Sequence, residues 1–198
     1  MPKLDLSGYE WFNQPVCYEL TNQHILIFTE PRTDLWQRTH YGFSHDNAHA
    51  FLCFPRRTEF TFSFSVTWQP KSQYDQCGLL YYQDADNWFK ASVEYEDAHF
   101  SRLGSVVTNL GYSDWATTNI SSEKRRMTYR MSRRGSDFLL EHAADGAGFE
   151  QMRIFHMHRA VDKARVGIYA CSPLESSFQA RFENLCLTDC QWQLYSEH

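Results

Sequence analysis

The 198-residue sequence has no run approaching the roughly 20 consecutive apolar residues that span a bilayer. Its opening stretch, "MPKLDLSGYEW", lacks the apolar segment of a secretion signal. Both absences set the expectation of a soluble, cytoplasmic protein with no membrane partner. Positive charge is also in short supply: the formal net charge is −5. Nucleic acid is therefore not expected as a partner either, since it demands clustered cations. Six cysteines are present, at positions 17, 53, 77, 171, 186 and 190, without a CxxC pair. A chain of this size does not need disulfide staples, so they are expected to be mostly buried thiols. The "NIS" sequon at Asn119 would matter only in a secreted protein. There is no GxSxG and no glycine-rich phosphate loop, and no cofactor is expected. Linkers, low-complexity tracts and internal repeats are missing, which favours a single domain over residues 1–198. Helical periodicity is scarce; the best candidate, "HRAVDKA" near Val161, is barely two turns.

What the chain has is aromatic residues and alternation. Phe, Tyr and Trp make up 16% of it, and these residues favour strands. In "FTFSFSVTW", Phe60, Phe62, Phe64, Val66 and Trp68 fall on one face, with Thr61, Ser63, Ser65 and Thr67 on the other. "CGLLYYQD" from Cys77 reads as a strand buried on both sides, and "SVVTNL" from Ser105 as a short β-branched strand. "RMTYRMS" from Arg126 and "DFLLEHA" from Asp137 read as a hairpin about "RRGS". "MRIFHMH", "RVGIYAC" and "SFQARFENLCLTD" supply three more strands. Turn signals separate them: "QPKSQYD", "DADN", "LGYSD", "ADGAG" and "SPLES". Short strands at regular spacing indicate an all-β sandwich or barrel.

The segment "NWFKASVEYED" sets the functional question. Phe89, Ala91, Val93 and Tyr95 form an apolar face, and Trp88, Lys90, Ser92, Glu94 and Glu96 the opposite one. Lys90 and Glu94 lie about 13 Å apart along such a strand, at about 3.3 Å per residue. They form either a solvated face with a weak ion pair or the floor of a binding groove. Carbohydrates suit grooves in which rings stack on sugar C–H faces and fixed polar groups meet hydroxyls. The loops "TDLWQRTHYGFSHDN", "QYDQ" and "NLGYSDW" would complete a rim. Trp36, Tyr41, Tyr112 and Trp115 belong either to that rim or to loops folded back on the core.

Other constellations are weaker. Glu94 and Glu96 form a same-face carboxylate pair of the kind glycoside cleavage uses, at a spacing that leaves the carboxyl separation open. His156 and His158 project to one side without a third ligand at a telling spacing, so no metal site is expected. "DADN" reads more simply as a hairpin turn than as a calcium loop. "EKRRM" and "SRRG" read as the solvated side of a strand.

Three stretches taken together, "TEPRTDLWQRTHYGFSHDNAHAFL", "YDQCGLLYYQDADNWFKASVEYED" and "SVVTNLGYSDW", resemble the regulation-of-enolase family, a domain of unknown function related to concanavalin A-like lectins and glucanases. "YRMSRRGSDFLLEHAADGAGFEQMR" and "VGIYACSP" extend the resemblance to roughly residues 8–190. It implies a concanavalin A-like jelly-roll sandwich of two antiparallel sheets, one of them concave. The three alternate acids of a glucanase strand are not matched, because "EYED" supplies two and then breaks. The resemblance implies a pocket shared by Asp34, Trp36, His40, Tyr41, Tyr74, Gln76, Lys90, Glu94, Asp114 and Trp115.

Three functions are compatible with these readings. One is a sugar or sugar-derivative binding module. Another is a glycoside hydrolase or lyase in which Glu94 is the general acid or base, Lys90 steadies charge and His40 is a second proton carrier. The third is a regulatory protein of carbohydrate metabolism with a metabolic-enzyme or regulatory partner.

Overall fold

The alternation at Phe60–Gln69 builds the centre of the molecule, with Phe60, Phe62, Phe64, Val66 and Trp68 all buried. The computed structural model describes residues 4–144 and 146–193. Met1–Lys3 of the opening stretch and Asp145 of the "ADGAG" turn lie outside the described residues. The strands in chain order are β1 (Tyr9–Phe12), β2 (Tyr18–Leu20), β3 (His24–Phe28), β4 (Leu35–Gln37), β5 (Ser44–Asp46), β6 (His49–Cys53), β7 (Phe60–Gln69) and β8 (Gln76–Asp84). They continue with β9 (Asn87–Tyr95), β10 (Phe100–Asn109), β11 (Tyr112–Ser121), β12 (Arg126–Arg134), β13 (Asp137–Ala143), β14 (Glu150–His156), β15 (Arg165–Cys171) and β16 (Gln179–Asp189).

Fourteen strands form two seven-stranded sheets. One runs β1-β6-β15-β8-β9-β10-β11 and the other β14-β13-β12-β7-β16-β3-β2, with antiparallel neighbours throughout. This is an all-β jelly-roll sandwich, and β4 and β5 add a small separate hairpin. Among the described residues there is no helix, and so none long and apolar enough to cross a membrane.

The core lies between the sheets. Met127, Tyr129 and Met131 of β12 meet Leu79, Tyr81, Phe89, Ala91 and Val93 of the facing sheet. The Tyr81 and Phe89 rings stack at 4.8 Å, and Phe138 meets both edge-on at 4.9 Å. On the outer polar face of β7, Thr61 and Ser65 are buried as well, while Ser63 and Thr67 are half-buried. Thr61 pairs with Ser132 at 2.8 Å and Ser65 with Thr128 at 2.9 Å across the strands.

Several expectations are corrected. "HRAVDKA" is a pair of turns, since a segment this short does not sustain a helix without packing along one side. β10 begins at Phe100, not Ser105, and "NLGYSDW" is not a loop. Leu110 and Gly111, with φ of 54° and 81°, make a two-residue turn that leads straight from β10 into β11. Such a turn needs left-handed backbone at both central positions, and its first residue here is a leucine. "SRRG" is not wholly solvated: Arg133 is buried, with its guanidinium over the Tyr81 and Phe138 rings. Of the six free thiols, Cys53, Cys77 and Cys171 are buried, Cys190 is half-buried, and Cys17 and Cys186 are exposed.

Candidate functional site

The sheet containing β9 uses both faces. Phe89, Ala91 and Val93 point into the sandwich core. Trp88 and Lys90 point outward and are buried all the same, at 0% and 4% exposure. The cover is the segment carrying β4 and β5. Leu35, Trp36 and Ala48 pack with Leu80, Trp88, Val106 and Tyr169 in a second apolar cluster. That hairpin is stitched down at the end of β4. The Gln37 N–H donates to Ser113 Oγ at 2.9 Å, and Arg38 reaches Asp86 at 3.2 Å and the Gly111 carbonyl at 3.0 Å.

The cover leaves a hollow of about 510 Å³. Strand register arranges the sheet beneath it in three rows, of which Lys90, Val106, Trp115, Ser92, Gly104, Gln76, Glu94 and Arg102 line the hollow. Leu80, Lys90, Val106 and Trp115 are neighbours in the first. Gly78, Ser92, Gly104 and Thr117 form the second, and Gln76, Glu94, Arg102 and Asn119 the third. Close strand approach holds the middle row low. A Cβ on Gly78 would sit 2.0 Å from the Ala91 carbonyl oxygen, and one on Gly104 2.6 Å from that of Ala116.

A chain of polar side chains crosses this floor. Lys90 Nζ donates to Gln76 Oε1 at 2.9 Å and lies 3.3 Å from Asp34 Oδ1. The buried Tyr169 hydroxyl donates to the same Gln76 oxygen at 3.0 Å, and Lys90 lies over its ring at 5.8 Å. Gln76 Nε2 donates to Glu94 Oε2 at 2.9 Å and to the Tyr74 carbonyl at 3.3 Å. Two donors on its oxygen and two acceptors on its nitrogen fix the Gln76 amide in one orientation. Burial pushes Glu94 up to about 7; Lys90 opposes the shift, and the Asp34 and Glu96 charges add to it.

Asp34 and Tyr74 are held by a buried network beneath the rim. Asp75 accepts from the Lys71 and Ser72 N–H groups and from the Ser172 and Ser176 hydroxyls, at 2.7–3.0 Å. Ser172 Oγ lies 2.7 Å from Thr29 Oγ1, and the Ser172 N–H donates to Thr33 Oγ1 at 3.0 Å.

The mouth is aromatic. The Trp36 ring lies 5.5 Å from Tyr41 and 6.4 Å from Trp115, and Tyr41 stacks on Phe43 at 5.3 Å. Tyr41 is 53% exposed and Trp115 41%, so neither Trp115 nor Tyr41 folds back on the core. Arg102 lies over the Trp115 ring at 5.8 Å and is tied to Glu96 at 2.7 Å.

Asp34, Trp36, Tyr41, Tyr74, Gln76, Lys90, Glu94 and Trp115 thus line one hollow. His40 and Asp114 do not. His40 is exposed behind Tyr41, with its ring 4.8 Å from that of Tyr41. Asp114 precedes Trp115 on a strand, so it points to the opposite face, where it meets Arg153 at 3.0 Å. Glu96 lies past the end of β9 and accepts from Arg102 and from Gln73, the latter at 2.6 Å; it is not a second acid in the hollow. His156 pairs with Asp137 at 2.7 Å, and among the described residues no group of three or more His, Cys, Asp or Glu side chains could hold a metal ion.

Arg32, Phe43, His45, Arg102 and Leu174 also line the hollow, and Tyr169 lies beneath it. Alternation points to two of these. Arg102, Gly104 and Val106 share a face once β10 starts at Phe100, and Tyr169 alternates with Ile168 and Ala170. Arg32, Phe43 and Leu174 have no periodic signal, because loop paths place them, and His45 is placed by the short β5, opposite Trp36.

Fold and hollow together define a concanavalin A-like jelly roll with a lined depression on the outer face of one sheet. The chain belongs to the family of proteins of unknown function DUF1349, whose model matches residues 11–190. It is 30% identical over 184 residues to Regulation of enolase protein 1 of Saccharomyces cerevisiae, covering 93% of this chain and 91% of that one. A solved structure described as a functionally unknown protein from Saccharomyces cerevisiae superposes with a TM-score of 0.86 at 28% identity, over 94% of this chain and 98% of that one. The GH43 protein BlXynB of Bacillus licheniformis has a TM-score of 0.72 at 12% identity, over 96% of this chain and 38% of its own. An alginate lyase from Klebsiella pneumoniae has 0.67 at 10%, over 96% and 98%. At those identities the last two show a shared fold alone.

Proposed function

We propose that the protein is a carbohydrate-binding regulator that holds a sugar or sugar derivative in the hollow over β8, β9 and β10. One observation carries this reading: an orientation-fixed polar chain, buried Lys90 and Gln76 leading to half-buried Glu94, lies beneath a mouth of exposed aromatic rings. The chain leaves groups free for a ligand. Lys90 has three N–H donors, and two are used. Among the described residues, no hydrogen bond reaches the second oxygen of Asp34 or of Glu94. Donor and acceptors side by side match vicinal hydroxyls, and Trp115 and Tyr41 offer ring faces to sugar C–H groups. The regulatory part draws support from the name of the Saccharomyces cerevisiae relative, and its partner would be a metabolic enzyme or another regulator. Six free thiols suit a reducing compartment such as the cytoplasm. The test is calorimetry with a thermal-shift screen across mono- and oligosaccharides. At least one sugar should bind, and Lys90→Ala and Trp115→Ala should each weaken it ten-fold or more. Silence from every sugar, or binding indifferent to both substitutions, contradicts the reading.

A second reading, a hydrolase or lyase, is favoured by one feature. A carboxyl group raised to about 7, and linked to a lysine through the Gln76 amide, is poised for proton transfer near neutrality. His40 does not line the hollow, so a second proton carrier would come from Asp34 or His45, which do. Any turnover of a bound oligosaccharide should disappear in Glu94→Gln; full turnover in that variant removes this reading.

A further inference from the structure

Every cation at the hollow faces a carboxylate. Lys90 Nζ lies 3.3 Å from Asp34, Arg102 Nε lies 2.7 Å from Glu96, and Arg32 pairs with Glu175 at the mouth. Glu94 adds an acid that no described cation reaches within salt-bridge distance; its hydrogen-bond partner is the Gln76 amide. His45 stands at the mouth with its ring 4.8 Å from that of Phe43. The interior therefore offers no surplus positive charge. A phosphate or carboxylate group needs one, and here it would be desolvated against two carboxyl side chains of like charge. A hydroxyl needs none: it donates to one neighbour and accepts from another.

We infer that the hollow takes an uncharged saccharide and rejects phosphorylated and acidic sugars, with Asp34 setting the discrimination. This rests on the sugar-binding reading above. Asp34 is the decisive residue because it neutralises Lys90, the one cation on the floor within reach of a ligand and not tied back at the rim. Its own position is set by backbone: its N–H donates to Asn47 Oδ1 at 2.9 Å, and its Oδ1 accepts from the Leu35 N–H at 2.7 Å. An asparagine there keeps the acceptor for Leu35, loses the charge and turns the second oxygen into an N–H donor.

Calorimetry at pH 8 on the full chain tests the inference, with glucose, xylose and their β-1,4-linked disaccharides set against glucose 6-phosphate and glucuronate. The expected result is binding of a neutral sugar with the charged sugars at least ten-fold weaker. In Asp34→Asn that gap should narrow at least three-fold. Charged sugars binding as tightly as neutral ones, or a gap unchanged in Asp34→Asn, overturns the inference and leaves a sugar site standing. Silence from all of them overturns both. The wild-type comparison decides by itself if the variant does not fold.

Discussion

Glu94 shows how one residue's surroundings set its chemistry. Its carboxyl ordinarily titrates near 4.5 and here is pushed up to about 7, chiefly by burial. Between those values the folded chain holds a proton that the unfolded chain releases. That advantage is complete below about pH 4.5 and is lost as the pH rises through about 7. Glu94→Gln removes the loss. Thermal unfolding should show the variant exceeding the wild type at pH 8 by about 3 kcal/mol, with most of that gap gone at pH 5. A gap independent of pH would mean that Glu94 titrates as an exposed carboxylate. The pairing of Lys90 and Glu94 on one face was legible from the spacing of four. Their link was not, because Gln76 comes from a neighbouring strand and only register brings it between them. Asp114 and Trp115 mark the opposite case. Both were expected in the pocket while their segment was read as a loop, and the strand separates them by a face.

The elements follow the alternation where alternation is clean. β7, β9 and β12 stand where the apolar period of two places them, and β8 where a strand buried on both sides was expected. It was less informative where a leucine occupies a two-residue turn, as at Leu110, and where a loop becomes a cover, as with β4 and β5. Nothing local in "TDLWQRTHYGFSHDN" says that it will fold over Trp88; the ties to Ser113, Asp86 and Gly111 decide that. The glycine row is likewise a property of neighbouring strands. Gly78→Ala should cost about 2 kcal/mol or more, since overpacking against backbone has no flexible group to absorb it. A urea midpoint unchanged from wild type would show that β8 and β9 can separate at no cost.

Across the whole molecule, the sheets join distant parts of the chain. β16 pairs with both β7 and β3, and β15 with both β6 and β8. Such pairing places folding in the slow range typical of β-sandwiches, milliseconds to seconds. It also makes the C-terminal strand structural. Deleting residues 179–198 would strand β2 and β3 from the rest of their sheet and uncover Phe62, Phe64 and Val66. The truncated chain should lose its cooperative unfolding transition by circular dichroism, and a sharp transition near the wild-type temperature would show that β7 and β12 suffice without β16. The sandwich shape was legible from strand number and turn spacing. A groove rimmed by Asp34, Trp36, Tyr41 and Tyr74 was expected, but its wall at Pro173–Leu174 was not, because that segment lies far from the others in sequence.

The central claim is that the outer face of this sheet, not an edge or the opposite face, is where a sugar binds. Crystals soaked in a mixture of neutral mono- and disaccharides test it most directly. The prediction is a sugar ring above Gly78, Ser92 and Gly104, with hydroxyls in hydrogen-bonding contact with Lys90 Nζ and Glu94. Sugar density on another surface, with the hollow holding only solvent, would contradict it.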